Sequence, residues 1–320
     1  MKVRVIIVNY RIADMVIECL KSLAPEVAAM GNVHVDLVDN ASGDDSVAKF
    51  QQAAQAHGWE DWLTIWPLQK NLGFAGGNNH PIREDYRSQA PADYYLLLNP
   101  DTCIRPGAIK TLTQFMQDHP NVGIAGSRLL NADGTTQQSS FRFNTWISDM
   151  CLGFRIGLID RLCAKHIVAR GIRDDEHETD WVSGASMMIK REVIDDIGLM
   201  DEGYFLYFEE MDYCLQARRA GWPCWFVPDS CVVHYVGQST GQTSATRQFC
   251  KRRSAYWFEA RSHYFLKNFG RTRKFLADVL WTIGYATYRM RIRLMRKPDY
   301  MPPYLLRDFI RHNFLGKRGC

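Results

Sequence analysis

The most informative segment of the sequence is Tyr94-Tyr95-Leu96-Leu97-Leu98-Asn99-Pro100-Asp101. Its apolar run predicts a strand buried on both faces, and the Asn-Pro-Asp that follows places a carboxylate directly past the strand end. Oxygen ligands of this kind suit Mg²⁺ or Mn²⁺, cations that bridge phosphates, so Asp101 is a candidate metal ligand. Because the same three residues are good turn formers, a purely structural turn is the alternative.

Strands and helices alternate on both sides of this stretch. The sequence predicts strands at 3–8, 33–38, 63–66 and 122–126, and helices at 12–23, 44–57 and 106–118. This alternation predicts an α/β fold with a mostly parallel, doubly wound, Rossmann-like sheet. Right-handed crossovers place the carboxyl ends of the strands along one edge, where ligands bind in such sheets.

Two further polar segments, both predicted to be loops, lie at predicted strand ends, at 39–44 and 71–79. Asp39 could accept hydrogen bonds from a base or ribose, although its segment could equally cap the next helix. The second segment is glycine-rich, and glycines let a backbone approach a nucleotide closely while Asn side chains contact ribose or phosphate. It lacks the Lys-Ser/Thr of a P-loop, and the first βα turn lacks the glycines of a dinucleotide fingerprint. Its candidate substrate contacts are Asn71, Gly73, Gly76 and Asn78.

Three acidic side chains crowd the predicted start of a helix at 209–220: Glu209, Glu210 and Asp212. Acidic residues stabilise a helix N-terminus, which is the structural explanation. Close carboxylates also raise one another's pKa, and a carboxylate with a raised pKa suits a general base near neutral pH. His234 ends a predicted strand at 223–233, where it is either structural or, beside a metal, a ligand.

Taken in order, these motifs resemble family 2 glycosyltransferases of the GT-A fold, in their rhamnosyltransferase-like branch. The residues that carry the resemblance are Val8-Asn9-Tyr10, Asp39-Asn40-Ala41-Ser42, Asn71-Leu72-Gly73-Phe74-Ala75-Gly76-Gly77-Asn78, Asn99-Pro100-Asp101, Gly184-Ala185, Phe208-Glu209-Glu210-Met211-Asp212 and His234. They span roughly residues 3–240. The resemblance implies substrate contacts at Asn9 and Gly184 in addition to the positions named above.

The resemblance also implies a role for each group. Asp39 and Asn71 would contact the nucleoside, and Asp101 and His234 would hold a divalent metal, Mg²⁺ or Mn²⁺. Asn99 stands where the family's metal-binding motif has its first Asp, so we expect it to orient the diphosphate. Glu210 would deprotonate the acceptor hydroxyl in a single inverting displacement, although the sequence leaves the choice between Glu209 and Glu210 open.

The charge of the chain is divided unevenly. From Arg247 onward there are 18 Lys and Arg against 4 Asp and Glu, whereas the rest holds 21 basic and 31 acidic residues. We therefore predict a GT-A catalytic domain at 1–245 and a basic, aromatic-rich helical extension at 246–320. The segment 275–290, flanked by arginines, is apolar enough to lie in a membrane interface, and packing on the catalytic domain is the alternative. No nucleic-acid-binding module is apparent.

The nine cysteines have no framework spacing, and no apolar run reaches about 18 residues. We therefore expect a cytoplasmic protein at the inner face of a bacterial membrane. The predicted reaction moves a sugar, L-rhamnose by resemblance, from dTDP-rhamnose or a UDP-sugar to a saccharide or lipid-linked acceptor of a cell-surface polysaccharide. The alternatives are another sugar-nucleotide-modifying enzyme and a non-catalytic nucleotide-sugar or glycan-binding protein.

Overall fold

A computed structural model of the protein describes residues 1–169, 171–235 and 251–316. These residues form two compact units, each with a hydrophobic core. The first contains residues 1–141, 171–205 and 209–235, and the second contains 142–169, 206–208 and 251–316. The C-terminal segment therefore shares its unit with 142–169, part of a stretch in which the sequence shows no regular pattern. The assignment of a catalytic domain to 1–245 and an extension to 246–320 stays a prediction.

The first unit holds eleven described strands and six described helices. In chain order they are β1 Val3–Asn9, α1 Ala13–Met30, β2 Val33–Asp39, α2 Ser46–His57, β3 Leu63–Pro67, α3 Gly73–Tyr86, β4 Tyr94–Leu98, β5 Thr102–Ile104, α4 Ala108–Asp118, β6 Ile124–Leu130, β7 Ser140–Phe141, β8 His177–Thr179, β9 Trp181–Val182, β10 Ser186–Lys190, α7 Arg191–Ile197, α8 Glu209–Arg219 and β11 Cys224–His234. The second unit contributes α5 Trp146–Phe154, α6 Gly157–Leu162, α9 Ala255–Leu294 and α10 Leu305–Phe314, with a short 3₁₀ turn at Ala164–His166.

Nine of the described strands form one sheet in the order β3-β2-β1-β4-β10-β6-β11-β5, with β8 also paired to β11. The β3-β2-β1-β4 half is entirely parallel, and β6 and β11 are parallel to each other. Strand β10 runs antiparallel between β4 and β6. All five residues of β4 are buried, which agrees with its unbroken apolar sequence.

This topology brings the chemically interesting positions to one edge of the sheet. Asn9 and Asp39 are register partners at the ends of β1 and β2. Because β10 is antiparallel to β4, its first residue, Ser186, pairs with Leu98, the last residue of β4. Strand β6 is antiparallel to β10 and parallel to β11, so β11 also ends, at His234, on this edge.

The glycine-rich segment is not the loop that the sequence predicts, because α3 begins at Gly73 and continues to Tyr86. Close packing explains the glycines. A Cβ on Gly73, which has a φ of +71°, would lie 2.1 Å from the carbonyl oxygen of Phe205, and one on Gly77 would lie 2.8 Å from Cγ1 of Val8. The glycines therefore let the first turns of α3 approach protein backbone and strand β1.

The second unit is built around a buried cation. The guanidinium of Arg261 on α9 donates to Asp149 on α5, with Nε 2.8 Å from Oδ2, and to Asp278, with Nη1 2.6 Å from Oδ1. Lys274 Nζ donates to the other oxygen of Asp278 at 2.6 Å. Because Arg261 and both aspartates are almost fully buried, each charge depends on its partners for the solvation it has lost. This network fixes α5, which the sequence did not predict, against α9.

Candidate active site

The carboxylate of Asp39 is held in place by the side chains around it. Its Oδ1 accepts hydrogen bonds from Asn9 Nδ2 at 2.8 Å and from Ser42 Oγ at 2.5 Å, and its Oδ2 accepts the backbone N–H of Ser42 at 3.2 Å. Asn9 is fully buried, and its Oδ1 accepts the N–H of Ile12 at 3.2 Å. The structure thus places Asn9 behind Asp39, where it positions the carboxylate.

A second amide joins the end of β2 to the start of α3. Asn40 donates from Nδ2 to the carbonyl of Gly73 at 3.0 Å, and its Oδ1 accepts the N–H of Leu72 at 2.8 Å. Asn71 closes the same turn by accepting the N–H of Gly73 on its Oδ1 at 2.8 Å. Asn78 lies within α3 and is almost fully buried, and it donates to the carbonyl of Phe74, one helical turn earlier, at 2.9 Å. These bonds fix the geometry of the turn beside Asp39.

Past the end of β4, two potential metal ligands face each other. Oδ1 of Asp101 lies 3.5 Å from Nε2 of His234, and Nδ2 of Asn99 lies 3.4 Å from the same nitrogen. Asp101 is 2% exposed, and its Oδ1 is buried without a hydrogen-bond donor among the described residues. A buried carboxylate oxygen costs free energy unless something positive or hydrogen-bonding compensates it.

This pair fits a divalent cation shared with a substrate. Two atoms that each lie about 2.1 Å from one cation can be 3.5 Å apart, as these are. Within the described ranges, no cluster of three or more His, Cys, Asp or Glu side chains has the arrangement of a metal site. Magnesium is characteristically bound by one or two protein carboxylates together with substrate phosphates and water, so a small protein ligand set suits it.

The three acidic side chains at the start of α8, Glu209, Glu210 and Asp212, lie in different environments. Oε2 of Glu210 is buried and receives no hydrogen bond from the described part of the chain, and burial raises the pKa of this carboxyl above its ordinary value. The backbone N–H groups of Glu210 and Gly184 oppose that rise in pKa. Asp212 instead accepts Gln216 Nε2 at 3.1 Å, one turn along α8, and Glu209 is 3% exposed. A raised pKa is what a general base near neutral pH needs, so Glu210 is our candidate for that role.

The turn before β10 connects Glu210 to the metal-ligand pair. The carbonyl of Ala185 accepts the backbone N–H of Asn99 at 3.1 Å. A Cβ on Gly184 would lie 3.1 Å from Cζ of Phe74 and 3.7 Å from Cβ of Glu210, so a glycine is what fits there. Glu210 and Asn99 therefore flank the same short turn. The structure brings the predicted residues of β4, the 184–185 turn, α8 and β11 to one part of the sheet edge.

One residue of this site is absent from the candidates that the sequence suggested. Gln137 follows a turn after β6 and contacts His234 through Oε1, 3.2 Å from Nδ1. Its Nε2 also lies 2.7 Å from the carbonyl oxygen of His234. The two residues are 97 positions apart, and only the pairing of β6 with β11 brings them together. No local pattern around Gln137 signals this contact.

Solved structures with the same fold include glycosyltransferases. One is the mannosyltransferase PcManGT from Pyrobaculum calidifontis in complex with GDP-Man and Mn²⁺, which aligns with a TM-score of 0.57 at 15% identity, over 92% of this chain and 75% of that chain. The predicted GT-A-type α/β fold is confirmed by this likeness.

The family follows from the sequence comparison. The family model described as "Glycosyltransferase like family 2" matches residues 2–256, so the chain belongs to this family and is a glycosyltransferase. The N-acetylglucosaminyl-diphospho-decaprenol L-rhamnosyltransferase of Mycobacterium tuberculosis is 26% identical over 72% of this chain and 76% of its own length. The dTDP-rhamnosyl transferase RfbF of Shigella flexneri is 24% identical over 72% of each chain. The predicted resemblance to rhamnosyltransferases is confirmed.

Proposed function

We propose that this enzyme is a metal-dependent, inverting glycosyltransferase that moves L-rhamnose from dTDP-rhamnose to a lipid-linked saccharide during synthesis of a bacterial cell-surface polysaccharide. The observation that carries the proposal is a pair of buried carboxylate oxygens, Asp101 Oδ1 and Glu210 Oε2, that lack hydrogen-bond donors among the described residues. Buried unsatisfied groups are costly, and a bound ion or a catalytic role is one reason for retaining them. The names of the two bacterial relatives support the donor and the lipid-linked acceptor.

The reaction needs one base. Glu210 Oε2 takes the proton of the acceptor hydroxyl, and the acceptor oxygen forms a bond to the anomeric carbon as the bond to the diphosphate oxygen breaks. Asp101 and His234 would hold the divalent metal, which supplies Lewis-acid stabilisation of the departing diphosphate when it is bound. Asp39 would accept a hydrogen bond from the nucleoside, and Asn99 would orient the diphosphate. A single displacement inverts the anomeric centre.

The test is turnover with a panel of donors. Purified protein is incubated with dTDP-rhamnose, UDP-glucose, UDP-N-acetylglucosamine and GDP-mannose and a synthetic N-acetylglucosaminyl-diphospho-lipid, with Mn²⁺ or with a chelator. We expect transfer from dTDP-rhamnose only with metal, and NMR of the product should show the anomeric configuration opposite to that of the donor. Retention of configuration, or full activity with the chelator, contradicts the mechanism. Donor binding without turnover on any acceptor would favour a non-catalytic binding protein.

We also propose that the second unit lies against an anionic membrane surface. Among the described residues, no helix is both long enough and apolar enough to cross a bilayer. Helix α9 buries one face within its unit, through Trp281 and Tyr285. Its other face carries a stripe of exposed apolar side chains at helical spacing, which we call the α9 stripe: Leu276, Ile283, Met290 and Leu294.

Basic residues accompany the α9 stripe. Arg293 and Lys297 are exposed beside its C-terminal end, and α6 exposes Leu158 and Leu162. Arg291 donates from Nη2 to the carbonyl of Arg155 at 2.7 Å, which ties the segment between α5 and α6 to this end of α9. Helices that lie in a membrane interface characteristically carry exposed apolar side chains flanked by basic residues. Each basic residue near an anionic surface contributes about 1 kcal/mol of attraction. A lipid-linked acceptor would be presented at such a surface.

We expect the protein to co-sediment with vesicles that contain phosphatidylglycerol and not with pure phosphatidylcholine vesicles. The double variant Ile283→Glu/Met290→Glu should bind the vesicles at least about tenfold more weakly, because it places negative charge on the face of α9 that would enter the membrane interface. Ile172→Glu, an equally exposed apolar position in the first unit, is the matched control. Undiminished binding of the double variant would show that the α9 stripe is not the contact surface.

A further inference from the structure

Gln137 forms a short network that ends on His234. Its Nε2 lies 2.7 Å from the carbonyl oxygen of His234, 2.9 Å from Oδ1 of Asn131 and 3.2 Å from the carbonyl oxygen of Leu130. All three neighbours are hydrogen-bond acceptors. Asn131 is itself oriented, because its Nδ2 donates to Oγ1 of Thr135 at 2.8 Å. The NH₂ group of Gln137 must therefore point at these acceptors, and the reverse orientation of the amide would set oxygen against oxygen.

This orientation determines which nitrogen of His234 carries the proton. Oε1 of Gln137, an acceptor, lies 3.2 Å from Nδ1, so the N–H of the neutral imidazole belongs at Nδ1. The lone pair then belongs to Nε2, the nitrogen that faces Asp101 Oδ1 and the amide of Asn99. The Nδ2–H of Asn99, 3.4 Å away, is a donor suited to that lone pair.

We propose that Gln137 is a positioning residue of the active site, which fixes the Nδ1–H tautomer and the ring orientation of His234 so that Nε2 presents its lone pair to a divalent cation. The inference rests on the proposed function, because it assigns the cation to the Asp101 and His234 pair. A metal-binding histidine commonly donates its second ring N–H to an oxygen, and that partner sets the tautomer. Gln137 is such a partner, and the other hydrogen bonds of its side chain hold the amide in this orientation.

The backbone supports this role. The turn at residues 131–135 closes through bonds from Asn131 N to Thr135 O at 2.8 Å and from Gly134 N to Asn131 O at 2.9 Å. The chain then returns along β6, where Gln137 N donates to the carbonyl of Leu129 at 2.8 Å. Leu130 at the end of β6 pairs with Val233 on β11, so the segment that returns along β6 brings the side chain of Gln137 to His234.

The first experiment measures the tautomer in metal-free protein. Long-range ¹H–¹⁵N correlation spectra of chelator-treated, histidine-labelled protein are recorded at a pH where the His234 ring is neutral, and His234→Gln assigns the signal. We expect a protonated Nδ1 and an unprotonated Nε2. A protonated Nε2 in the wild-type protein overturns the proposal, even if every variant at this position fails to fold.

Variants then test whether Gln137 is the cause. Gln137→Leu, which removes the acceptor, should give a mixture of tautomers and weaken Mn²⁺ binding in the presence of dTDP by about tenfold, measured by EPR of free Mn²⁺. Gln137→Glu keeps an acceptor opposite Nδ1 and should keep the tautomer, while its second oxygen faces the acceptors around Nε2 of Gln137 and should lower the melting temperature. Gln138→Leu is the matched control, since the Gln138 side chain donates to the carbonyl of Ser140 instead, and it should leave both readouts unchanged.

The outcomes separate this proposal from the proposed function. An unchanged tautomer and unchanged Mn²⁺ affinity in a folded Gln137→Leu protein would overturn the role of Gln137 while leaving the transferase intact. Failure of the wild-type protein to bind Mn²⁺ with any nucleoside diphosphate would instead overturn the metal site, and the tautomer measurement would still stand as a result on metal-free protein.

Discussion

Glu210→Gln is expected to lower kcat by about 10³-fold, in the middle of the range that a general base contributes. Glutamine keeps the shape of the side chain and cannot accept a proton near neutral pH. Oε2 of Glu210 has no hydrogen-bond donor among the described residues, and the amide keeps an oxygen that can accept from the backbone N–H groups of Glu210 and Gly184. The affinity for dTDP and Mn²⁺ should therefore change by less than about threefold, because the lost interaction acts on the transition state. Initial rates and titration calorimetry measure the two effects.

The pH profile gives an independent check. Burial raises the pKa of the Glu210 carboxyl, and only the ionised form can act as a base. Activity should therefore fall on the acid side at a pH above the ordinary pKa of a glutamate, and Glu210→Gln should flatten this limb. The effect of this carboxyl group on the pH dependence of folding stability is opposite in sign to the usual effect of a carboxylate. Because the folded state holds this proton more tightly than the unfolded state, the contribution of Glu210 to stability decreases as the pH rises through its folded pKa.

Glu209→Gln decides the alternative that the sequence left open. Glu209 lies on the same turn of α8 and is buried, so its loss should lower the melting temperature more than the turnover of the folded fraction. If Glu209→Gln removes activity and flattens the acid limb while Glu210→Gln retains both, the base is Glu209 and our assignment is wrong. Asp212→Asn serves as a further control, since Asp212 accepts a hydrogen bond from Gln216 within the helix.

That the candidate site residues lie close together could be predicted from the sequence, because their positions depend on the topology of the strands. Continuous apolar runs such as 94–98 identify buried strands, and their polar ends must lie at one edge of the sheet. The positions of Asp39, Asp101 and His234 at strand ends follow from this reasoning alone. What each carboxylate does there depends on its partners, which sequence does not reveal. The raised pKa of Glu210, for example, arises from burial.

Other features could not be predicted because their causes are distant in sequence. The glycine-rich segment reads locally as a loop, whereas Asn79 within it donates from Nδ2 to the carbonyl of Met200 at 2.8 Å, 121 residues away. That bond and the close approach of Gly77 to Val8 stabilise a helix that intrinsic propensity disfavours. Gln137 is a similar case, because its role exists only where β6 and β11 pair.

Asp101→Asn is expected to weaken Mn²⁺ binding in the presence of dTDP by at least about 100-fold, because losing a direct ligand should exceed the 10- to 100-fold effect of losing a supporting residue. The turnover rate at fixed Mn²⁺ should fall with it, and excess Mn²⁺ should restore part of it. EPR of free Mn²⁺ and initial rates across a metal titration measure these changes. Metal affinity within about twofold of the wild type would show that Asp101 is not a ligand.

The same substitution should not destabilise the metal-free protein. In the folded chain, Asp101 is 2% exposed and its Oδ1 lacks a hydrogen-bond donor among the described residues, so no hydrogen bond offsets the solvation free energy that this oxygen has lost. Replacing it with the neutral amide removes that cost, and we expect an equal or higher melting temperature in the presence of chelator. Added Mn²⁺ and dTDP should stabilise the wild type and leave Asp101→Asn nearly unchanged, since only a bound ligand shifts the unfolding equilibrium.

Asp85→Asn provides the matched contrast, because Asp85 is also buried and both of its carboxylate oxygens accept hydrogen bonds. Its Oδ1 accepts Arg4 Nη1 at 2.9 Å, and its Oδ2 accepts the N–H of Ala92 at 2.8 Å and the hydroxyl of Tyr95 at 2.7 Å. Breaking a buried, paired charge should lower the free energy of unfolding by about 3–5 kcal/mol while Mn²⁺ affinity is retained in the folded fraction. If instead Asp101→Asn destabilises the metal-free protein as strongly as Asp85→Asn does, Asp101 has a structural partner and its orphaned oxygen is no sign of a metal site.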